Sequence, residues 1–425
     1  MHHFQYQGND LYGEQVPIET IATAVGTPFY LYSQKTLETH FTVFDNAFGQ
    51  LPHVTCYSVK ANSNLSILRI FSRRGAGADV VSGGELYRAL AAGMPAEKIV
   101  YSGVGKKPQE ISYAIEAGIL MFNVESPQEL ELIETLAQKA QKKARIALRV
   151  NPDINPGTHP YISTGLRENK FGINLHDAVA EYKKALQKKH IDIVGIACHI
   201  GSQITEVGPF VEAMQTLRNL VSELIRSGFH IKYLDLGGGL GITYKKETPP
   251  HPEQYAQAVM QALNGLPVTL ILEPGRVLVG NAGILVTGVL YTKQSGEKNF
   301  IVVDAGMNDL IRPSLYGSYQ GIQPVRKRAG KKIAADIVGP ICESGDFLAK
   351  KRKVPAFEPG DLMAVMSAGA YGFSMSSNYN SRPRIPEVLV SGDSYYVIRE
   401  REAYDDLIRG EKIPEHLKLN EQKLN

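Results

Sequence analysis

Paired cysteines, long apolar runs and a surplus of charge of one sign are all missing from this chain of 425 residues. The three cysteines, Cys56, Cys198 and Cys342, are odd in number, far apart and form no CxxC pair. That argues against a disulfide framework and against a zinc site, so no metal is expected and a reducing cytoplasm fits best. No apolar run reaches the roughly 18 residues of a membrane span. The opening Met1-His2-His3-Phe4-Gln5 lacks the basic-then-apolar pattern of a signal peptide. A formal net charge of +3 with mixed signs gives no reason to invoke nucleic acid or a membrane surface.

What is present is a regular alternation. From Val54 onward, short apolar runs at 54–60, 77–82, 97–103, 119–124, 144–151, 191–199, 231–236 and 267–273 predict strands. Amphipathic runs such as Pro127 to Gln141 and Pro209 to Ser227 separate them. In the second of these, Phe210, Val211, Met214, Leu217, Val221, Leu224 and Ile225 recur at helical spacing. Gly93, Gly118, Gly228 and Gly265 stand where helix C-caps are expected. Eight strand–helix units in a row predict an α/β fold, a closed (β/α)8 barrel over residues 36–281. A doubly wound open sheet is the runner-up. After Asn281 the helical patterns thin out and runs such as Ile284 to Tyr291 and Phe300 to Val303 predict a mostly β second domain over 282–425. Residues 1–35 are expected to join it through Phe29-Tyr30-Leu31-Tyr32. The irregular stretch 154–170, with Pro156, Gly157 and Pro160, is long enough to be functional or mobile.

In such a barrel, chemistry sits at the C-terminal ends of the strands. Those ends hold Lys60, then His199 with Gly201-Ser202-Gln203, Gly237-Gly238-Gly239, and Glu273-Pro274-Gly275-Arg276. Lys60 closes an apolar strand. Burial there would lower its pKa and leave a neutral amine able to form a Schiff base, although a snorkelling lysine is the commoner occupant of such a position. The glycine run can bring backbone N–H groups to a phosphate or simply make a tight turn. Ile242 stands where a dinucleotide fingerprint needs its last glycine. Glu273 needs a partner, either nearby Arg276 or a protonated pyridine nitrogen. His199 is a packed core histidine or a flat ring stacked on a flat cofactor. Together the four describe a site for pyridoxal 5′-phosphate.

With these residues in place the chain resembles the fold-type III pyridoxal-phosphate-dependent decarboxylases nearly end to end. The resemblance rests on Tyr57-Ser58-Val59-Lys60-Ala61-Asn62, His199-Ile200-Gly201-Ser202-Gln203, Gly237-Gly238-Gly239-Leu240 and Glu273-Pro274-Gly275-Arg276. In the second domain it rests on Arg312-Pro313-Ser314-Leu315-Tyr316-Gly317, Gly339-Pro340-Ile341-Cys342-Glu343-Ser344 and Gly369-Ala370-Tyr371-Gly372. It implies that Lys60 holds the cofactor, His199 stacks on its ring and Glu273 pairs with its nitrogen. Ser202, Gly239 and Arg276 are to surround the phosphate, Gly238 and Gly275 to bind the cofactor, and Tyr371 to lie near cofactor and substrate. Arg276, Arg312 and Tyr316 are to bind substrate carboxylates. Glu343 is to bind the far ammonium and Cys342 to donate a proton. The family is a homodimer that shares its active sites, with Cys342 and Glu343 coming from the partner chain. A far end bearing both ammonium and carboxylate suits meso-2,6-diaminopimelate, giving L-lysine and CO2. Ornithine, arginine or a polyamine precursor is the alternative, and a non-enzymatic carrier of the cofactor is the third reading.

Overall fold

The computed structural model describes residues 2–155, 157 and 170–418. The apolar runs become eight parallel strands: β1 His53–Ser58, β2 Gly77–Val80, β3 Ile99–Tyr101, β4 Met121–Val124, β5 Ala144–Asn151, β6 Ile191–Ala197, β7 Tyr233–Asp235 and β8 Thr269–Leu272. Each pairs with the next. β8 pairs with β1 through Leu272↔Thr55, and β4 pairs with β5 through Phe122↔Ile146, Asn123↔Ala147 and Val124↔Leu148. This leaves no edge in the ring, so the sheet is a closed barrel and the open alternative is excluded. Strands buried on both faces read as continuous apolar runs, which is why all eight were visible in the sequence.

Helices fill the intervals. Pro127–Lys139 begins on Ser126, whose side chain accepts the Glu129 N–H, and Gly118 ends Pro108–Ala117 in the left-handed region at φ 70°. Gly208–Arg226 buries Phe210, Met214, Leu217, Val221 and Leu224. Val211 is half-buried and Ile225 exposed, so those two flank the stripe rather than form it.

Inside the barrel, side chains point inward at every second residue. Cys56, Val100, Met121, Ala147 and Ile271 make an apolar layer. Two residues further along the same strands come Ser58, Ser102, Asn123, Arg149 and Glu273. Period two therefore sets a polar layer directly above an apolar plug, at the C-terminal mouth.

The second sheet has nine strands and its main path runs 347–355, 332–338, 298–303, 283–295, 29–33, 387–391, 394–399. As expected, the N-terminal strand joins it. Phe29–Ser33 runs antiparallel to Gly283–Val286 and parallel to Glu387–Val390. A small sheet of Phe4–Gln7, Asp10–Gly13 and Val16–Pro17 was not foreseen. Its strands are too short and too polar to show a period. Among the described residues no helix is long and apolar enough to cross a membrane, and all three cysteines are free thiols. The stretch 154–170 falls mostly outside the described residues.

Candidate active site

β1 ends at Ser58, two residues earlier than its apolar run suggested, and Val59–Ala61 form a single 3-10 turn. The turn lifts Lys60 off the barrel wall and over the mouth. Its Nζ lies 2.8 Å from Asp79 Oδ2, and 34% of its side chain stays exposed, whereas Asp79 is wholly buried. This corrects the sequence reading of Lys60 as an amine neutralised by burial. Burial does oppose its charge, but the Asp79 carboxylate, to which Lys60 is also hydrogen-bonded, outweighs it and raises its pKa. Lys60 is an ammonium held by Asp79. The same pairing, against the burial of Asp79, lowers the Asp79 pKa.

Asp79 is one of three carboxyl groups in the polar layer. Ser58 Oγ stands 2.8 Å from Asp79 Oδ2 and 3.0 Å from the Glu273 carbonyl oxygen. Asn123 Nδ2 donates to Asp235 Oδ2 at 2.8 Å and to Ser102 Oγ at 3.0 Å, and it approaches Glu273 Oε1 at 3.4 Å. Burial first, then the neighbouring carboxylates of Asp235 and Asp79, raise the Glu273 pKa well above the ordinary range. A carboxyl whose pKa is raised by burial would suit a basic ring nitrogen placed beside it.

His199 follows β6. Its Nδ1 accepts the Gly238 N–H at 3.1 Å. Burial, with the cations of Arg149 and Lys60 near, lowers its pKa to about 3, so the ring is neutral and flat. A side chain on Gly238 would bring a Cβ within 2.1 Å of the Glu273 carbonyl oxygen; on Gly239, at φ +117°, within 2.5 Å of the Gly201 carbonyl oxygen. The glycines are thus required by packing. Gly237 N–H is spent on Asp235 Oδ1 and Gly238 N–H on His199. Of the run, Gly239 N–H has no partner among the described residues, so the cradle expected of three glycines narrows to that one.

Beyond the glycines two guanidinium groups lie side by side. Arg276 opens the short helix Arg276–Val279 and is buried; its Nη2 donates to Ser202 Oγ at 2.9 Å and its Nη1 to Tyr244 Oη at 2.7 Å. Arg312 opens the helix Arg312–Tyr316 and is buried too, with its Cζ 5.3 Å from the Tyr244 ring centroid and 5.5 Å from that of Tyr316. Tyr371 covers Arg276 at 4.9 Å. Its N–H donates to the Ala61 carbonyl at 2.8 Å, and it takes the uncommon φ of 53°. The loop from the second sheet is thereby pinned to the turn that carries Lys60. Neither arginine has a carboxylate partner among the described residues. Arg276 Nε, Arg312 Nε and Asp79 Oδ1 are buried without hydrogen bonds. A buried cation without an anion is costly, and two together make an anion site.

Cys342 and Glu343 are not brought to this mouth. Both are exposed, and no hydrogen bond or ion pair among the described residues joins them to Lys60, Arg276 or Arg312. Instead the Cys342 N–H donates to Asn380 Oδ1 at 2.8 Å and Tyr379 Oη to Glu343 Oε2 at 3.0 Å. Asn380 and Ser381 hold left-handed φ angles of 56° and 52°. That segment is tied down by Glu402, which accepts from Asn378 Nδ2 at 2.7 Å, from the Arg384 N–H at 2.8 Å and from Arg384 Nε at 2.7 Å. Burial works against the Glu402 charge, but the hydrogen bonds from Arg384 and Asn378 lower its pKa to about 2. An unfolded glutamate titrates near about 4.3. The folded value is the lower one, so the stabilisation is full above that pH and lost as pH falls through the folded value. The destabilisation caused by Glu402→Gln is expected to shrink by more than half between about pH 6 and about pH 3, measured by urea unfolding. A penalty that does not change with pH would contradict this origin.

Sequence reasoning singled out Lys60, His199, Glu273 and the arginines, which the structure brings together, and passed over Asp79, Asn123, Asp235, Arg149 and Tyr244. The first four left a signal: each is a polar residue inside a strand buried on both faces, where it must have a partner. Tyr244 lies in a loop and left none.

Comparison with known proteins then fits this geometry. The pyridoxal-dependent decarboxylase family, in its pyridoxal binding domain, matches residues 34–280. Diaminopimelate decarboxylase of Aquifex aeolicus is 50% identical over 96% of this chain and 96% of its own. This chain belongs to the diaminopimelate decarboxylase family. The Haemophilus influenzae member is 51% identical over 96% of this chain and 98% of its own. The crystal structure of the M. jannaschii diaminopimelate decarboxylase in complex with L-lysine superposes with a TM-score of 0.94 at 38% identity, covering 98% of this chain and 100% of that one. The closed barrel with a separate, mostly β sheet is the architecture of that family.

Proposed function

We propose that this chain decarboxylates meso-2,6-diaminopimelate to L-lysine and CO2 with pyridoxal 5′-phosphate as cofactor. The observation that supports it best is the pair Arg276 and Arg312: two buried cations without a carboxylate partner among the described residues, joined through Tyr371 to the turn that carries Lys60. A substrate with a carboxylate at each end, on a cofactor with a phosphate, supplies the anions that both lack. The donor set also fits the cofactor, with a lysine for its aldehyde, a buried carboxyl of raised pKa for its nitrogen, a neutral ring for its face and Ser202, Gly239, Gly275 and Arg276 for its phosphate.

When bound, pyridoxal phosphate supplies the electron sink that lets a carbon lose CO2. The protein does the rest. Asp79 orients Lys60 and takes up its positive charge. Glu273, backed by Asp235 and Asn123, holds a proton at the pyridine nitrogen. Arg312 and Tyr316 grip the far carboxylate, and Arg276 with Tyr371 orients the near one. Ornithine has no far carboxylate and would leave Arg312 buried and unpaired.

Among the described residues, Asp79 and Glu273 at this mouth are already assigned to Lys60 and to the cofactor nitrogen, and no further carboxylate stands beside Arg312 for the substrate's far ammonium. Cys342 suits proton donation and Glu343 that ammonium, and they stand exposed on a surface that Tyr379, Asn380 and Glu402 hold in shape. We therefore assign them to the mouth of a second copy in a homodimer, where Cys342 Sγ gives its proton to the carbon that has lost CO2. A free thiol in that role suits the reducing cytoplasm.

The test is product analysis. The purified protein loaded with cofactor is expected to release one CO2 and one L-lysine per diaminopimelate; recovery of the substrate unchanged would sink the assignment. Cys342→Ala is expected to keep the cofactor spectrum while kcat falls by about 10²-fold or more. Mixed with an inactive Lys60→Ala chain it is expected to regain part of the wild-type rate. If mixing restores nothing, the shared site is wrong.

A further inference from the structure

Tyr244 belongs to the loop that follows the glycine run, and that loop is built rather than loose. Gln203 brackets Ile242, its Nε2 donating to the Ile242 carbonyl at 2.6 Å and its Oε1 accepting the Ile242 N–H at 3.1 Å. Glu247 Oε2 then collects three successive backbone N–H groups, those of Tyr244 at 3.0 Å, Lys245 at 2.6 Å and Lys246 at 3.1 Å. Thr243 Oγ1 donates to the Glu247 carbonyl at 2.8 Å. The turn has one evident result: it pushes the Tyr244 side chain into the cleft between Arg276 and Arg312.

There the ring meets both cations. Its centroid is 5.9 Å from Arg276 Cζ and 5.3 Å from Arg312 Cζ, and its hydroxyl accepts from Arg276 Nη1 at 2.7 Å. Two buried guanidinium groups repel each other, and no carboxylate among the described residues pairs with either. An aromatic face attracts a cation, and a phenol oxygen accepts from one. Tyr244 offers both at once. Arg276 also holds Ser202, which ties it to the phosphate end, whereas Arg312 lies against Tyr316 at the far end.

We propose that Tyr244 is a positioning residue that keeps Arg276 and Arg312 apart as two separate anion sites, its hydroxyl setting Arg276 for the cofactor phosphate and its ring setting Arg312 for the substrate's far carboxylate. This role rests on the substrate assignment made above. The two halves of the side chain therefore have separable effects, one on cofactor and one on substrate.

Two variants and two titrations read them, using the full-length protein loaded with cofactor. Tyr244→Leu removes ring and hydroxyl; Tyr244→Phe removes the hydroxyl alone. L-lysine retains the far carboxylate, so its affinity, measured by competitive inhibition, reports on Arg312. Cofactor affinity is measured by absorbance titration of the stripped protein. In Tyr244→Leu the KM for diaminopimelate and the inhibition constant of L-lysine are expected to rise about tenfold, with kcat changed much less. In Tyr244→Phe both are expected to return to within about twofold of wild type, while the cofactor dissociation constant stays raised severalfold. The proposal is overturned if Tyr244→Leu leaves the KM and L-lysine inhibition as in wild type, or if Tyr244→Phe is as impaired toward L-lysine as Tyr244→Leu. Wild-type protein that neither turns over diaminopimelate nor binds L-lysine would overturn the substrate assignment itself, and this role with it.

Discussion

Lys60→Ala is expected to abolish turnover and to remove the visible absorbance of the lysine-bound cofactor. The expectation follows from position. Lys60 Nζ is the amine held over the mouth, 2.8 Å from a wholly buried carboxylate. Among the described residues the buried lysine of the barrel is Lys106, which is spent on Glu129 Oε1 at 2.6 Å and on the carbonyls of Gly103 and Asn123. It cannot substitute. The loss is expected to exceed about 10³-fold. Removing the lysine also leaves Asp79 buried without its partner, so the ligand-free variant is expected to melt below wild type. A Lys60→Ala protein that retained the absorbance band would refute the role assigned to Lys60.

Arg312→Met is the second large effect, and it has the opposite sign in stability. Arg312 is buried between Tyr244 and Tyr316 with no carboxylate near, and burial together with Arg276 lowers its pKa. Methionine fills similar space without the charge. The ligand-free variant is expected to be at least as stable as wild type, by thermal melting, because an uncompensated buried charge is gone. Its kcat/KM for diaminopimelate is expected to fall by about 10²- to 10³-fold, the usual loss when one partner of a buried charged pair is removed. The cofactor spectrum should not change. A variant that lost stability and activity together would point to a structural arginine instead.

How far the site could be read from the sequence depended on where each residue stands. The eight barrel strands were legible because each is short, apolar and buried on both faces. Their ends were less so. The apolar run through Val59 hid the turn that places Lys60, and the pKa of Lys60 was read with the wrong sign because Asp79 sits 19 residues away. A lysine at the end of an apolar strand suggests desolvation; a carboxylate two positions past the apolar layer of the next strand reverses it. The order of the second sheet was out of reach for a related reason. Phe29–Ser33 lies between strands that follow it by some 250 and 355 residues (Tyr30↔Leu285 and Tyr30↔Glu387), and no local pattern encodes such a pairing. Tyr244 could not be found from its neighbours either, since what places it is a niche made by Glu247 three residues on.

The central claim is that the mouth selects a substrate with a carboxylate at its far end, and the ratio of kcat/KM for meso-diaminopimelate to that for ornithine tests it most directly. With Arg312 and Tyr316 built for that carboxylate, diaminopimelate is expected to be preferred by a factor on the order of 10⁴. Comparable values for the two substrates, or a preference for ornithine, would contradict the account.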